Sequence, residues 1–199
     1  MQKARIRTSW KNKQRNVSVE EHAVAVAAVA WRVSLNAAKN LHEQDFVYED
    51  DQQRLQVIRE YLYFLIHVAD RIMHTHFADI QSDSGERVRF MTKLSHECRR
   101  HYLENARELV AHGLNSDQFI NQLNQRMNNY ASTRFVDDEP GYDTFRTFGL
   151  FIQDCMGNSQ TNKWAQDQVL DIDGPEAFGI FSKALTSLNK SAAGSGLVN

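Results

Sequence analysis

The chain has 199 residues, of which 42% are hydrophobic and 24% are charged, and its formal net charge is −2. This length is enough for one domain with a substantial apolar core and no need of disulfide bonds. The near-neutral charge excludes a protein whose whole surface serves to bind nucleic acid or an anionic membrane.

The sequence also predicts a cytoplasmic protein that does not enter membranes. No apolar run approaches the roughly 18 residues of a membrane-spanning helix; the longest, residues 23–31, has nine residues. The N-terminus is basic but does not have the pattern of a signal peptide. Cys98 and Cys155 are the only cysteines and have no CxxC spacing, so we expect buried free thiols.

Residues 1–17 are predicted to form a basic N-terminal arm. The arm contains six positive charges and no negative one, at Lys3, Arg5, Arg7, Lys11, Lys13 and Arg15. An arm of this kind can bind nucleic acid. The alternative, which we favour, is that it lies on an acidic surface of this protein or of a partner subunit. Residues 43–51 supply such a surface, because they include five acidic residues and no basic one.

The rest of the sequence predicts an all-α fold, a single-domain bundle of about five to seven helices over residues 18–189, followed by a flexible tail at residues 190–199. Prolines are rare, and no two alternating runs are joined by a turn dipeptide. Ser18 and Glu21 have the spacing of a capping box, which predicts the start of the first helix. The nine-residue apolar run in that helix has no polar face, so it indicates either a central helix or a subunit interface.

A second helix, predicted at residues 54–77, is expected to be the centre of the bundle. Its apolar residues cover roughly 200° of the helix circumference, about twice the apolar stripe of an ordinary surface helix. We therefore expect neighbours on several sides. One narrow polar line remains, formed by Gln56, Tyr63, His67, Asp70 and His74.

The C-terminal half is predicted to contain the remaining helices. A third helix covers residues 86–112, with a core line that begins at Val88, and a fourth begins at residue 116. Residues 131–139 are predicted to be irregular, and Pro140 suits the first position of a fifth helix. A sixth helix is predicted to end at Gly174 and Pro175, before a last one.

Two lines of histidine and carboxylate residues are candidates for a metal site. The central helix supplies His67, Asp70 and His74, and the third helix supplies Glu97, His101 and Glu104. If these lines face each other, they have the composition of a di-iron or di-manganese site, and the cofactor is a divalent transition metal. The alternative, which we favour, is that both lines face water and that no cofactor is bound, with the glutamates paired to arginines.

The sequence contains no nucleophile–base pair, glycine-rich phosphate loop, HExxH or GxSxG motif. We therefore expect an α-helical binding or interaction protein, not an enzyme, that associates with itself through residues 23–31 or the basic arm. One alternative is a metal- or cofactor-dependent helical-bundle enzyme that uses the two lines. Another is a nucleic-acid-associated protein that acts through the arm.

Overall fold

Seven α-helices account for most of the described chain. The structure is a computed structural model, and it describes residues 18–78, 84–109 and 116–193, so the predicted basic arm lies outside it. The helices are α1 Val19–Glu43, α2 Asp51–Ala78, α3 Ser84–Leu109, α4 Ser116–Ala131, α5 Tyr142–Met156, α6 Ala165–Gln168 and α7 Gly174–Ala193. A π-helical turn, Val169–Asp173, joins α6 to α7. The predicted all-α bundle is confirmed.

Helix α1 begins with the predicted capping box. The Ser18 hydroxyl accepts a hydrogen bond from the Glu21 amide, and the Glu21 carboxylate accepts one from the Ser18 amide, both at 3.1 Å. The apolar run that follows packs against α2, α3 and α7. Four of its residues are fully buried within this one chain: Ala23, Val26, Ala27 and Ala30. Contacts inside the protein therefore bury most of the apolar side chains of this run. Self-association through the run stays a prediction.

Helix α2 is the centre of the bundle, as predicted. It packs against α1, α3, α4, α5 and α7, and each of residues 61–69 is at most 4% exposed. The helix begins three residues earlier than predicted, at Asp51. The reason is an N-terminal cap, in which the Asp50 carboxylate accepts a hydrogen bond of 2.7 Å from the amide of Gln53.

Helix α3 contributes one narrow line of buried side chains. These residues recur at every fourth position: Phe90, Leu94, Cys98, Tyr102 and Ala106. The prediction that the line begins at Val88 is wrong, because Val88 is 62% exposed. Residues spaced by four lie on one face of a helix, and Val88 is two positions from Phe90, on a different face.

The segment between α4 and α5 is more ordered than predicted. Two short antiparallel strands, β1 (Phe135–Val136) and β2 (Glu139–Pro140), pair across a two-residue turn. Asp137 and Asp138 have φ values of 51° and 62°, the left-handed backbone that tight hairpin turns require. Pro140 therefore belongs to a strand and does not begin α5, whose N-cap is Gly141.

The chain does not break at Gly174 and Pro175, contrary to prediction. It continues from α6 through the π-helical turn into α7. A Cβ atom at Gly174 would lie 2.6 Å from the Val169 carbonyl oxygen, so glycine is needed there. Pro175 lies in the first turn of α7, where an amide donor is not required. Helix α7 ends at Ala193, within the predicted tail, and residues 194–199 lie outside the described range.

Within the described ranges, no helix has both the length and the apolar character that crossing a bilayer demands.

The packing of α1 predicts opposite effects for glutamate at two neighbouring valines. Val26 is fully buried, whereas Val24 is 37% exposed. Because Val26→Glu places an unpaired carboxylate in the core, it should lower the free energy of unfolding by about 3 kcal/mol or more. Val24→Glu, the control, should change it by less than about 1 kcal/mol. Urea unfolding measures both values. If the parent sediments as an oligomer, a folded, monomeric Val26→Glu variant would instead indicate a subunit interface; a monomeric parent would exclude one.

Candidate functional site

The predicted polar line on α2 is partly buried. His67 is 4% exposed, and its ring stacks on Tyr130 with 4.8 Å between centroids. Burial and, to a smaller extent, the charge of Arg71 together lower the pKa of His67 to about 4, with Asp70 opposing them in part, so the imidazole is neutral at physiological pH. Asp70 accepts a 2.6 Å hydrogen bond from Arg87 Nη2, and His74 is exposed.

The side chains of the predicted line on α3 contact other residues of α3 and one residue of α1. Glu97 pairs with Lys93 and Arg100, each at 2.7 Å, and Glu104 also pairs with Arg100. His101 stacks on Trp31 of α1, with 6.2 Å between ring centroids. Among the described residues, no three His, Cys, Asp or Glu side chains are placed to hold a metal ion. The geometry therefore gives the metal site no support, and the site stays a prediction.

A buried ion pair between α2 and α4 was not predicted. Glu60 is 1% exposed, and its two oxygens accept hydrogen bonds of 2.7 and 3.0 Å from Nε and Nη2 of Arg126. The guanidinium carbon lies 3.8 Å from the ring centroid of Phe151. Since both carboxylate oxygens have a donor, we interpret this pair as structural.

Breaking this pair from one side should be strongly destabilising. Arg126→Ala leaves Glu60 as a buried, unpaired carboxylate, and we expect a loss of about 3–5 kcal/mol in the free energy of unfolding. The double variant Glu60→Leu with Arg126→Leu should lose less, because no charge is left unpaired. The control is Glu43→Gln at the exposed pair with Lys39, expected within about 0.5 kcal/mol. Equal losses in the single and double variants would contradict this account.

A groove between α1 and α7 is the more promising site. Its cavity has a volume of about 370 Å³, within the size range of small-molecule sites. Helix α7 begins near the end of α1, because Gln168 hydrogen-bonds Gln44, the residue that follows α1. Val29 of α1 and Ala184 of α7 also line the groove, so the two helices run antiparallel along it.

The antiparallel arrangement gives the groove two different halves. Near the start of α7 the lining is polar, with Asn36, Asn40, Asp173 and Glu176. Toward the other end it is mainly apolar, with Val29, Val33, Ile180 and Ala184, and with Arg32 as the basic residue of the groove. Ile180 is 51% exposed, so apolar surface is open to a ligand there. The groove therefore suits a molecule with one polar and one apolar end.

Asp173 is the unusual residue of this groove. It lies at the last position of the π-helical turn and is only 2% exposed. Within the described part of the chain, neither carboxylate oxygen has a hydrogen-bond partner. Burial raises the pKa of Asp173 to about 6; Gln168 lowers it in part, and Glu176 raises it. The side-chain amide of Gln168 hydrogen-bonds Gln44. It also lies near enough to Asp173 to lower the pKa as a donor, but not within hydrogen-bonding geometry of either carboxylate oxygen.

Two tyrosines lie near this carboxylate on the inner side. Tyr61 of α2 is fully buried, and its hydroxyl also has no partner among the described residues. Burial raises the pKa of Tyr61, and the charge of Asp173 raises it further. The Tyr48 hydroxyl donates a 2.8 Å hydrogen bond to the Ala38 carbonyl. The unpaired carboxylate and the unpaired hydroxyl thus lie within electrostatic range of each other.

A second cavity, of about 630 Å³, lies between α1 and the start of α2. It is larger, but its charged residues already have partners. Lys39 pairs with Glu43 at 3.0 Å, and Arg54 pairs with Asp51 at 3.2 Å. A ligand in this cavity would therefore find fewer unpaired charged groups than a ligand in the α1/α7 groove.

Asp173 was not predicted as a site residue. It lies in the segment Val169–Asp173, next to Gly174 and Pro175, which predicted the end of a helix. A carboxylate beside two helix-breaking residues is typical of an exposed loop. The available signal was its spacing, because Asp173 is four residues from Val169 and Ala177, and both are buried.

Comparison with known proteins adds no relatives: no family model, curated protein or solved structure matches the chain.

The burial of Asp173 predicts a pH-dependent cost in stability. Its pKa is about 6 in the folded protein and 3.8 as the ordinary value, so the folded state binds this proton more tightly. The protonated Asp173 carboxyl therefore stabilises the folded state fully below pH 4, and this stabilisation is lost as the pH rises through about 6. Asp173→Asn should therefore raise the free energy of unfolding at pH 7 by on the order of 1–3 kcal/mol, and by little at pH 4.

Urea unfolding between pH 4 and pH 8 measures this difference. The control is Asp171→Asn, since Asp171 is in the same π-helical turn and is exposed. It should not reproduce the pH-dependent gain. If Asp173→Asn is destabilising at pH 7, the carboxylate has a partner inside the protein, and it is not a vacant group.

Proposed function

We propose that the protein is a non-catalytic binding protein and that its ligand occupies the groove between α1 and α7. The observation that supports this proposal is Asp173, a residue of the groove lining that is 2% exposed. Each of its carboxylate oxygens has less than 1 Å² of exposed surface and no hydrogen bond within the described residues. A buried carboxylate without a partner is unfavourable by several kcal/mol. A bound ligand that supplies the missing donors removes this penalty.

Binding has more support than catalysis. The polar residues of the groove are two asparagines, two carboxylates and one arginine. This set can hold a ligand by hydrogen bonds and charge, but it contains no nucleophile paired with a base. Both cysteines are free, and Cys98 is fully buried. Free thiols are typical of a reducing compartment, which supports a cytoplasmic location as part of the proposal.

A fragment screen by NMR tests the proposal. The labelled protein is mixed with small cationic, neutral and anionic compounds at millimolar concentration. We expect at least one class to shift the backbone amides of Asn36, Ala37, Ala177 and Ile180, and to be recovered chemically unchanged. Asn36→Trp, which adds bulk at an exposed position of the groove, should weaken that binding by at least about tenfold.

The control for the bulky side chain is Gln125→Trp on α4, because Gln125 is also exposed and lies outside the groove. It should leave binding unchanged. If no compound shifts the amides of the groove, or if Asn36→Trp binds as well as the parent, the groove is not the site. Sedimentation of the same samples at tens of micromolar tests the separate prediction of self-association.

A further inference from the structure

We infer that the ligand is a small organic monocation, with its ammonium or guanidinium group at Asp173 and a short hydrocarbon part in the apolar half of the groove. This inference rests on the proposed function, and it adds the chemical class of the ligand to it.

The missing hydrogen-bond donors at the Asp173 carboxylate indicate the charge of the ligand group that binds there. Two carboxylate oxygens without donors require N–H or O–H groups, and a cation supplies them together with the opposite charge. Glu176 lines the same half of the groove, so two carboxylates there would repel an anionic ligand. The Asn36 and Asn40 side chains supply further amide oxygens for additional N–H groups.

An organic cation suits this site better than a bare metal ion. Calcium takes six to eight oxygen ligands, and magnesium takes six with strict geometry. The described residues contain no group of three or more His, Cys, Asp or Glu side chains that could hold a metal ion. An ammonium group needs only about three acceptors, a number that Asp173 and one asparagine can supply.

The length and lining of the groove indicate the structure of the rest of the ligand. Val29 and Asn40 are eleven residues apart on α1, which corresponds to about 16 Å along the helix axis. The apolar half, with Val33 and Ile180, offers contact to a hydrocarbon chain. Arg32 lies in this half, so a second positive charge at the far end of the ligand would be repelled. A monoamine therefore fits better than a diamine of the same length.

Calorimetric titration of the full chain at pH 7.5 tests the inference with four probes. These are n-hexylamine, 1-hexanol, hexanoate and 1,6-diaminohexane, which share a chain of six carbon atoms; the diamine is longer by its second amino group. We expect hexylamine to bind at least about tenfold more tightly than hexanol, and the diamine to bind more weakly than hexylamine. Hexanoate should show no binding. Asp173→Asn should weaken hexylamine binding by at least about tenfold, whereas Asp171→Asn should leave it unchanged.

The pH dependence provides a second measurement that does not depend on a variant's folding. The ionisable groups around Asp173 are Glu176 on α7, Tyr48 before α2, Tyr61 on α2 and Arg32 on α1. The affinity of the parent for hexylamine should fall as the pH drops below about 6, when Asp173 takes up its proton. Carbon NMR of the Asp173 carboxyl should show its pKa lowered by bound hexylamine.

The possible results separate the inference from the proposed function. If hexanol or hexanoate binds the groove as well as hexylamine does, the groove is a ligand site and the inference about charge is wrong. The same holds if hexylamine binds in the groove but neither Asp173→Asn nor low pH weakens it. If no probe and no fragment binds there, the proposed function is wrong as well.

Discussion

The burial of α2 on all sides is the constraint on which the rest of the structure depends. Each of residues 61–69 is at most 4% exposed, so a polar side chain there, or at the adjacent buried Glu60, must find a partner in the protein. Glu60 pairs with Arg126 on α4. The Tyr63 hydroxyl donates a 3.0 Å hydrogen bond to the Phe119 carbonyl. These contacts attach α4 to α2 with specific geometry, in addition to apolar packing.

Tyr61 is an exception to this pattern, and its position explains why. Its ring meets Phe148 edge to face, with 4.8 Å between centroids, so the apolar part of the side chain is well packed. Its hydroxyl is near Asp173, where the carboxylate is also unpaired within the described residues. Each of these two polar groups lowers the stability of the fold as long as it has no hydrogen-bond partner. The Glu60 carboxylate differs in that both of its oxygens accept hydrogen bonds from Arg126, although the Tyr130 hydroxyl in that region is also unpaired within the described residues.

Periodicity predicted the helices but not their neighbours. The capping box at Ser18 and the broad apolar arc of α2 are local features of the chain, and both predictions are confirmed. The polar line through His67 could not be assigned to water or to the core from sequence. Its surroundings depend on Tyr130, which is 63 residues further along the chain. Glu60 was missed for the same reason, since its partner Arg126 lies on another helix.

The π-helical turn adds support to the proposed site at Asp173. A π turn adds one residue to a helical turn, so it changes the face on which later residues lie, and it is less stable than a regular α-helix. Here it ends at Asp173 and is followed by Gly174, where a side chain would clash with the Val169 carbonyl. The chain thus combines an unfavourable helical turn, a required glycine and an unpaired buried carboxylate within six residues. Each of these features is a local loss of stability, and such losses cluster where a protein binds its ligand.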